Sequence, residues 1–394
     1  MAFAARGLYG RRVDVTDLRI ALFTGNYNYV RDGANQALNR LVGYLLEQGA
    51  AVRIYSPRTD TPAFPSVGKV VGIPALALPG RGEYRAPLYI PGAVKRDVAA
   101  FAPTHFHIAS PEILGHRAVS LARRSKLPVI ASVHTRFETY PRYYNAAFLE
   151  PIFETLLRRL YRRCDAIFAP SESMAALLRE QRMNDHVGIW SRGIDSSVFS
   201  PEARDLDWRR GHGIDDDEAV VGFVGRLVME KGLDVFAGAV RVLATRGVRH
   251  RVVVVGEGPA RGWFAEAMPD AVFAGFQKGA DLGRAVASLD LLFNPSVTET
   301  FGNVTLEAMA SGLPVVAARA TGSTSLVQDG ATGTLVTPGD VAGFADALQR
   351  YCEDPETRSV AGAAGEVASR SYGWDAVNAK LVEGYLDVSR RRRS

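Results

Sequence analysis

The stretch Phe293–Ala318, FNPSVTETFGNVTLEAMASGLPVVAA, carries two glutamates, Glu299 and Glu307, with seven residues between them. Leu291, Leu292 and Phe293, which lead into this stretch, predict the end of a buried strand. The amphipathic segment Val304–Ala310 predicts a helix, and the glycine and proline that closely follow it predict where the helix ends. Glu299 then lies in the loop before the helix, and Glu307 lies in its first turns. Exposed amides between two carboxylates suit a phosphate group and sugar hydroxyls.

Strand and helix patterns alternate on both sides of the Phe293–Ala318 stretch. A strand at Leu18–Phe23, a helix that stops at Gly49 and a strand at Ala51–Tyr55 predict a βαβ unit and a parallel sheet. A second series begins with a strand at Val220–Val224. The sequence therefore predicts an α/β protein with two Rossmann-like domains that face a cleft. The expected domains are residues 1–195 and 196–371, followed by a C-terminal helix and basic tail over 372–394.

Three segments stand apart from the alternating strand and helix patterns. Arg58–Tyr89 is rich in proline and glycine and predicts a loop region. Pro201–Glu218 predicts a polar connector between the two halves. The tail Arg390–Arg393 is expected to be flexible.

Composition places the chain among ordinary globular proteins. It has 394 residues, 47% of them hydrophobic and 23% charged, so we expect two domains. No apolar run approaches the roughly 18 residues that span a bilayer, and the N-terminus lacks the apolar segment of a signal peptide. Cys164 and Cys352 show no metal-ligand or redox spacing. We therefore predict a cytoplasmic protein.

Charge is distributed unevenly along the chain. Residues 1–195 contain 26 Lys and Arg against 16 Asp and Glu, which gives +10, whereas residues 196–394 contain 21 against 26, which gives −5. This difference predicts an anionic partner for the first half, and a phospholipid surface, an anionic acceptor or nucleic acid would each fit. No nucleic-acid fold signature is present, so we expect no nucleic-acid partner.

Arginines and aromatic residues concentrate in Arg136–Tyr144 and in the helix that follows it. They predict either a solvated basic face or a face that binds a membrane or an acceptor. The candidate acceptor and membrane residues are Arg136, Tyr140, Arg142, Tyr143, Arg158, Arg159, Arg162 and Arg163.

The Glu-x7-Glu pair followed by AMASGLPVV resembles glycosyltransferase family 4, whose members are retaining nucleotide-sugar transferases with the GT-B fold. The resemblance covers nearly the whole chain and is closest to members that glycosylate lipids, such as sulfoquinovosyl-diacylglycerol synthases and bacterial mannosyl- or glucuronosyltransferases. It implies that the C-terminal helix crosses back to the first domain. The other matching segments are Ser132–Thr135, Arg192–Asp195, Val224–Gly232 and Val255–Pro259.

Two cations after the first strand of the second half, Arg226 and Lys231, can clamp a diphosphate. The resemblance implies that His134 and Glu299 contact the donor sugar and that Glu307 binds the ribose hydroxyls. The sequence departs from the family at Asp32-Gly33-Ala34, where relatives carry a glycine pair, and at Thr300, where many have glycine. The predicted catalytic residues are His134, Arg226, Lys231 and Glu299. The predicted donor-binding residues are Gly33, Gly225, Arg226, Lys231, Gly256, Phe276, Gln277, Glu299, Phe301, Gly302, Asn303 and Glu307.

The resemblance implies transfer of a hexose or uronic acid from a nucleotide sugar, with a UDP-sugar favoured, to a membrane lipid or lipid-linked glycan. A GDP-mannose-dependent α-mannosyltransferase and a transferase to a soluble sugar remain alternatives. A nucleotide-sugar epimerase is the alternative from another class, although epimerases lack this glutamate pair. No cofactor or metal is expected, because the Asp-x-Asp patterns at Asp205–Asp207 and Asp215–Asp217 fall in the predicted connector. The enzyme is expected at the inner face of the membrane, peripherally bound.

Overall fold

The computed structural model describes residues 14–29, 33–78, 81–138 and 147–393. The chain folds into two compact units, one of Met1–Ser191 with Asp375–Ser394 and one of Arg192–Trp374. None of the helices in the described ranges combines the length and the hydropathy that a bilayer crossing demands.

The first unit contains a parallel sheet with helical connections. In chain order its elements before residue 192 are β1 (Arg19–Phe23), α1 (Gly33–Glu47), β2 (Ala51–Ser56), β3 (Lys69–Gly72), β4 (Leu76–Leu78), β5 (Arg81–Ala86), α2 (Gly92–Phe101), β6 (His105–Ile108), α3 (Ile113–Arg124), β7 (Val129–Ser132), α4 (Glu150–Tyr161), β8 (Ala166–Ala169), α5 (Glu172–Glu180) and β9 (Val187–Ile189). The sheet order is β3-β2-β1-β6-β7-β8-β9, with all pairs parallel. All residues of β6, β7 and β8 are buried, as expected for central strands of a parallel sheet.

The loop region predicted for Arg58–Tyr89 is wrong in part. β3 extends the parallel sheet beyond β2, with Arg53 opposite Lys69 and Ser56 opposite Gly72. β4 and β5 form a separate antiparallel pair. Pairing with a neighbouring strand outweighs the local proline and glycine signal, because strand formation depends strongly on tertiary context.

The second unit contains another parallel sheet. Its elements are α6 (Leu206–Gly211), β10 (Val220–Val224), α7 (Leu233–Thr245), β11 (Arg251–Val255), α8 (Arg261–Ala267), β12 (Val272–Gly275), α9 (Gly279–Ala287), β13 (Leu291–Asn294), α10 (Asn303–Ala310), β14 (Val315–Ala318), α11 (Ser323–Leu326), β15 (Gly333–Val336), α12 (Val341–Glu353) and α13 (Pro355–Ser369). The sheet order is β12-β11-β10-β13-β14-β15, again with all pairs parallel. The two Rossmann-like sheets confirm the predicted α/β fold class.

The C-terminal helix, α14 (Trp374–Arg391), belongs almost wholly to the first unit. The prediction that this helix crosses back to the first domain is therefore confirmed. The prediction of a flexible tail is wrong, because the helix extends through Arg391 and Arg392 is anchored. The Arg392 guanidinium donates to Asp165 Oδ1 at 2.9 Å and to the Lys126 carbonyl oxygen at 2.8 Å.

The segment predicted as a polar connector, Pro201–Glu218, contains α6 and a buried arginine. Arg209 is fully buried and donates to Asp290 Oδ2 at 2.9 Å and to three backbone carbonyl oxygens. Asp290 also accepts the Val220 amide at the start of β10. The predicted connector thus belongs to the second unit and places Arg209 and Ile214 in its interior, whereas its other residues are exposed or half-buried. Its polar composition concealed this role.

Candidate active site

The carboxyl ends of β10 and β13 are neighbours where the strand order of the second sheet reverses. β11 and β12 continue on one side of this pair, and β14 and β15 continue on the other. The loops after two such strands diverge and leave a crevice that commonly binds ligands in α/β proteins. In this chain those two loops carry three of the four predicted catalytic residues, which are Arg226, Lys231 and Glu299.

The Lys231 ammonium group and the Glu299 carboxylate form an ion pair across the two loops. Their side chains are mostly buried, with 28% and 19% of their surfaces exposed. The loops can approach because residue 232 is a glycine with a φ of 74°. A Cβ at Gly232 would lie 3.1 Å from the Pro295 carbonyl oxygen, and other residues rarely adopt this φ.

Arg226 lies on the same loop as Lys231, but its side chain is exposed where those of Lys231 and Glu299 are mostly buried. The side chain is exposed, and among the residues that the structure describes it has no hydrogen bond and no ion pair. A guanidinium group without an intramolecular partner retains all five of its donors for an anion.

Gly225 and Gly256 follow the adjacent strands β10 and β11, and both have a φ of 141°. The Gly225 amide donates to the Val255 carbonyl oxygen at 2.9 Å, and the Gly256 amide donates to the Gly275 carbonyl oxygen at 2.8 Å. A Cβ at Gly256 would collide with the Gly225 carbonyl oxygen. Close backbone approach therefore accounts for Gly256, whereas at Gly225 a Cβ would meet no atom within 4 Å and the positive φ alone favours glycine. The donor-binding role of both residues stays a prediction.

Glu307 lies in α10, which begins at Asn303 after Gly302, a residue with a φ of 100°. The Glu307 side chain is partly buried. Burial, and then the charge of Glu299, raise the pKa of Glu307 to about 7. Near neutral pH this carboxyl group is therefore present both as an acceptor-only ion and as a neutral group with one donor, and both forms can bind hydroxyls.

The remaining predicted donor contacts in the second unit fall in different environments. The Phe301 ring is 3% exposed and packs against Tyr372 at a centroid distance of 5.8 Å, so its side chain belongs to the core. Phe276 follows the edge strand β12 and is 64% exposed. Gln277 donates to the Ala274 carbonyl oxygen at 2.7 Å. β11 separates β12 from β10 in the sheet, and the donor-binding role of Phe276 and Gln277 stays a prediction.

In the first unit, His134 lies two residues beyond β7 and is 9% exposed. Its Nε2 atom is 2.9 Å from Ser132 Oγ, and its ring packs edge-to-face on Trp190. Gly33 is the first residue of α1, whereas residues 30–32 of the preceding loop lie outside the described residues.

The predicted acceptor and membrane residues are only partly described. Tyr140, Arg142 and Tyr143 lie outside the described residues. Arg136 pairs with the buried carboxylate of Glu138 at 2.8 Å.

The four arginines of the α4 region separate onto two sides of the helix. Arg159 and Arg163 line a groove of about 590 Å³, here called the α4 groove, together with Phe153 and Leu156. Phe153 and Leu156 are 38% and 48% exposed. Arg158 and Arg162 lie on another side, where Arg158 pairs with Glu154 and Arg162 donates to the Arg182 carbonyl oxygen at 3.1 Å. The first pair therefore adjoins exposed apolar surface.

Sequence reasoning missed Glu112, the residue before α3. Its carboxylate lies against Gly25 in the loop after β1, so closely that a Cβ at position 25 would collide with it. Burial raises the pKa of Glu112 to about 7, although the side chain keeps part of its surface exposed. Its sequence position resembles any glutamate at a helix start, so no local signal identifies it.

The two Asp-x-Asp patterns are engaged by arginines. Asp205 accepts the Trp208 amide as the cap of α6, and Asp207 pairs with Arg210 at 2.8 Å. Asp215 and Asp217 pair with Arg249 at 3.1 and 2.7 Å. In the described parts of the chain, no cluster of three or more His, Cys, Asp and Glu side chains is arranged to hold a metal ion.

Two protein families match this chain along its length. The family described as Glycosyltransferase Family 4 matches residues 31–198, and the family described as Glycosyl transferases group 1 matches residues 218–354.

Characterised relatives and solved structures are similar over most of the chain. The sulfoquinovosyl transferase of Arabidopsis thaliana is 31% identical over 92% of this chain and 72% of its own length. A GDP-mannose-dependent alpha-mannosyltransferase of Mycobacterium tuberculosis is 31% identical over 95% of this chain and 98% of its own length. The structure of sucrose-phosphate synthase from Thermosynechococcus elongatus superposes with a TM-score of 0.77 at 21% identity, over 95% of this chain and 100% of that one. This similarity establishes the GT-B fold.

Proposed function

Because this chain belongs to glycosyltransferase family 4, we propose that it transfers a hexose or uronic acid from a UDP-sugar to a lipid acceptor, with retention of the anomeric configuration. The observation that carries the proposal is the Lys231–Glu299 ion pair at the reversal of the strand order, with the exposed Arg226 on the same loop as Lys231. Cationic and carboxylate groups at one crevice suit a ligand that combines a diphosphate with sugar hydroxyls.

In this proposal the Lys231 ammonium and the Arg226 guanidinium bind the donor diphosphate. Glu299 accepts hydrogen bonds from the donor sugar, and Glu307 binds the ribose hydroxyls. The ion pair holds Lys231 and Glu299 in place before the donor arrives, so little side-chain entropy remains to be lost on binding. His134 of the first unit is proposed to contact the donor sugar.

The proposed reaction needs no protein nucleophile. The acceptor oxygen bonds to the anomeric carbon on the face from which the nucleoside diphosphate leaves, and the departing phosphate oxygen takes the acceptor's proton. Negative charge grows on the diphosphate as the sugar–phosphate bond breaks. Preorganised cations at that position lower the barrier.

The product is expected to retain the donor's anomeric configuration and to form at an undiminished rate in EDTA. The Asp-x-Asp aspartates are already held by arginines or cap a helix, and Lys231 and Arg226 supply the positive charge that a metal would otherwise provide. NMR of the product linkage reads the configuration. Inversion, or loss of activity in EDTA with rescue by Mg²⁺ or Mn²⁺, would contradict the proposal.

A GDP-mannose donor is the second candidate, and the mannosyltransferase relatives favour it. Thermal unfolding with UDP or GDP separates the two donors. A nucleotide present at a hundred times its dissociation constant stabilises the folded state by about 2.7 kcal/mol. If GDP stabilises the protein more than UDP does, GDP-mannose replaces the UDP-sugar as the proposed donor.

We propose a membrane lipid or lipid-linked glycan as the acceptor, and a cytoplasmic enzyme bound peripherally to the inner face of the membrane. The α4 groove supports this choice, because Arg159 and Arg163 adjoin the apolar side chains of Phe153 and Leu156. Phe148, just before α4, is 77% exposed. Apolar side chains beside cations suit the interface of an anionic bilayer.

Serine at both Arg159 and Arg163 is expected to weaken binding to anionic vesicles by about thirtyfold, since each cation at such a surface contributes about 1 kcal/mol. Flotation with phosphatidylglycerol-containing vesicles at low salt measures this, and high salt should weaken native binding.

Serine at Arg158 and Arg162 is the matched control for the α4 groove. This variant has the same net charge, but its changes lie on the side where Arg158 already pairs with Glu154. It should bind vesicles nearly as well as the native protein. Equal losses in both double variants would mean that total charge, and not the groove, governs binding, whereas no vesicle binding by the native protein would favour a soluble acceptor.

A further inference from the structure

A line of four hydrogen-bonded side chains connects α14 to His134. The Tyr385 hydroxyl is hydrogen-bonded to His107 Nδ1, and His107 Nε2 lies 2.8 Å from Ser132 Oγ. Ser132 Oγ in turn lies 2.9 Å from His134 Nε2. Tyr385 and His107 are 0% exposed, Ser132 is 2% exposed and His134 is 9% exposed. Bulk water is therefore largely excluded, and the hydrogen-bond roles of these groups depend on one another.

The buried end of this line decides which group donates and which accepts in each of its hydrogen bonds. Burial lowers the pKa of His107 to about 3, so its ring is neutral and has one donor nitrogen and one acceptor nitrogen. If His107 Nδ1 were the donor, the Tyr385 hydroxyl hydrogen would need a different acceptor. Across the described residues, no other hydrogen bond of that hydroxyl is found. A buried hydroxyl left without an acceptor is unfavourable, so the tyrosine donates to His107.

We propose that Tyr385 sets the tautomer of His134. The tyrosine donates to His107 Nδ1, which places the His107 proton on Nε2, where it is donated to Ser132 Oγ. The Ser132 hydroxyl must then donate to His134 Nε2. His134 consequently carries its proton on Nδ1, and in the proposed function this N–H donates to a sugar oxygen. The catalytic relevance rests on the proposed function, whereas the tautomer does not.

The same helix also fixes the orientation of both imidazoles through Trp190. The Trp190 ring packs edge-to-face on His107 at 6.1 Å and on His134 at 5.5 Å between ring centroids. Its indole N–H donates to Asn378 Oδ1, a buried group of α14, at 3.3 Å. Tyr385 and Asn378 thus act as positioning residues, since both reach His134 through another side chain.

Long-range ¹H–¹⁵N NMR of ligand-free protein labelled with ¹⁵N-histidine tests the proposal directly. The His134 signals are assigned by their loss in His134→Gln. The native protein should show the Nδ1–H tautomer at His134. In Tyr385→Phe the tyrosine no longer fixes the direction of the line, so the His134 signals should shift towards the other tautomer. Ser132→Ala breaks the line at its last link and should also alter them, which keeps the test valid if Tyr385→Phe does not fold.

Ser389→Ala is the matched control, because it removes another buried hydroxyl of α14. Ser389 Oγ lies 3.0 Å from His105 Nε2 and so joins the same helix to the same sheet without reaching His134. This variant should leave the His134 tautomer unchanged. An Nε2–H tautomer in the native protein, unchanged His134 signals in Tyr385→Phe, or the same shift in Ser389→Ala would overturn the proposal.

The kinetic consequence is measured separately in the transferase assay. Partners that orient a metal-bound imidazole are commonly worth about 10- to 100-fold, and we expect a similar range for His134. Tyr385→Phe should therefore lower kcat in that range with little change in the donor KM, and Ser389→Ala should leave kcat near native. The NMR result needs no donor and no turnover, so a failed transferase assay with the expected tautomer would reject the proposed function alone. Native kcat in Tyr385→Phe with an altered tautomer would reject the catalytic relevance of this positioning.

Discussion

Alanine at position 231 is expected to lower turnover by about a hundred- to a thousandfold, and alanine at position 226 is expected to do the same. Losing one preorganised charge that faces a developing anion typically has an effect of this size. Both cations follow β10 at the reversal of the strand order, where the proposed diphosphate binds. Steady-state kinetics with the donor identified by thermal shift measures the loss as a fall in kcat/KM.

The two substitutions should differ in their effect on the fold. Arg226 has no partner among the described residues, so its removal should leave the unfolding midpoint unchanged. Removing Lys231 leaves the mostly buried Glu299 unpaired and should lower the midpoint moderately. Arg241→Ala, on the exposed side of α7, is the control for losing one positive charge. Near-native turnover in the 226 or 231 variant would contradict the diphosphate clamp.

Alanine at position 209 is expected to destabilise the second unit by about 3 kcal/mol or more. Breaking a buried ion pair typically costs about 3–5 kcal/mol, because the remaining partner stays buried. Arg209 is fully buried, and its loss would also remove the donor to three carbonyl oxygens. Arg204 still contacts Asp290 at 2.8 Å, which places the expected cost towards the lower end. Urea unfolding followed by circular dichroism measures it.

Arg210→Ala is the control for Arg209→Ala, because it removes the neighbouring arginine of α6 from the surface. Arg210 pairs only with Asp207 and Asp216, both of them exposed, among the described residues. Its unfolding midpoint should stay close to native. Similar losses in the two variants would show that α6 itself, and not the buried ion pair, stabilises the unit.

The contribution of the Arg209–Asp290 ion pair to stability should also depend on pH. Burial alone would raise the pKa of Asp290, but the charges of Arg204 and Arg209 outweigh it and lower the pKa below its usual value. Stability from a carboxylate with a lowered pKa is present above its unfolded-state pKa and is lost as pH falls through its folded-state pKa. The native protein should therefore lose this contribution below about pH 4, and the 209 variant should lose less of its stability over that range.

Local patterns in the sequence predicted the elements that surround the candidate site. β10 has the predicted bounds, Val220–Val224, and α10 begins one residue before the predicted Val304. Runs of apolar residues identify such strands because strands covered on both faces need no polar alternation. The pairing of the loops after β10 and β13 could not be inferred from spacing alone, since Lys231 and Glu299 are 68 residues apart. The family resemblance supplied their roles.

The sequence by itself determined the α/β class, the two Rossmann-like sheets, the return of the C-terminal helix and the family. The α/β class and the two sheets follow from hydrophobic periodicity, and the family follows from motifs that are contiguous in the chain. The return of the C-terminal helix is what the family resemblance implied. Only the tertiary structure decided that Arg209 is buried, that the α4 arginines face two ways, and that Tyr385 is linked to His134. Those features depend on which distant side chains become neighbours when the sheets form. The sequence does not distinguish a polar residue that hydrogen-bonds to water from one that hydrogen-bonds to a buried partner.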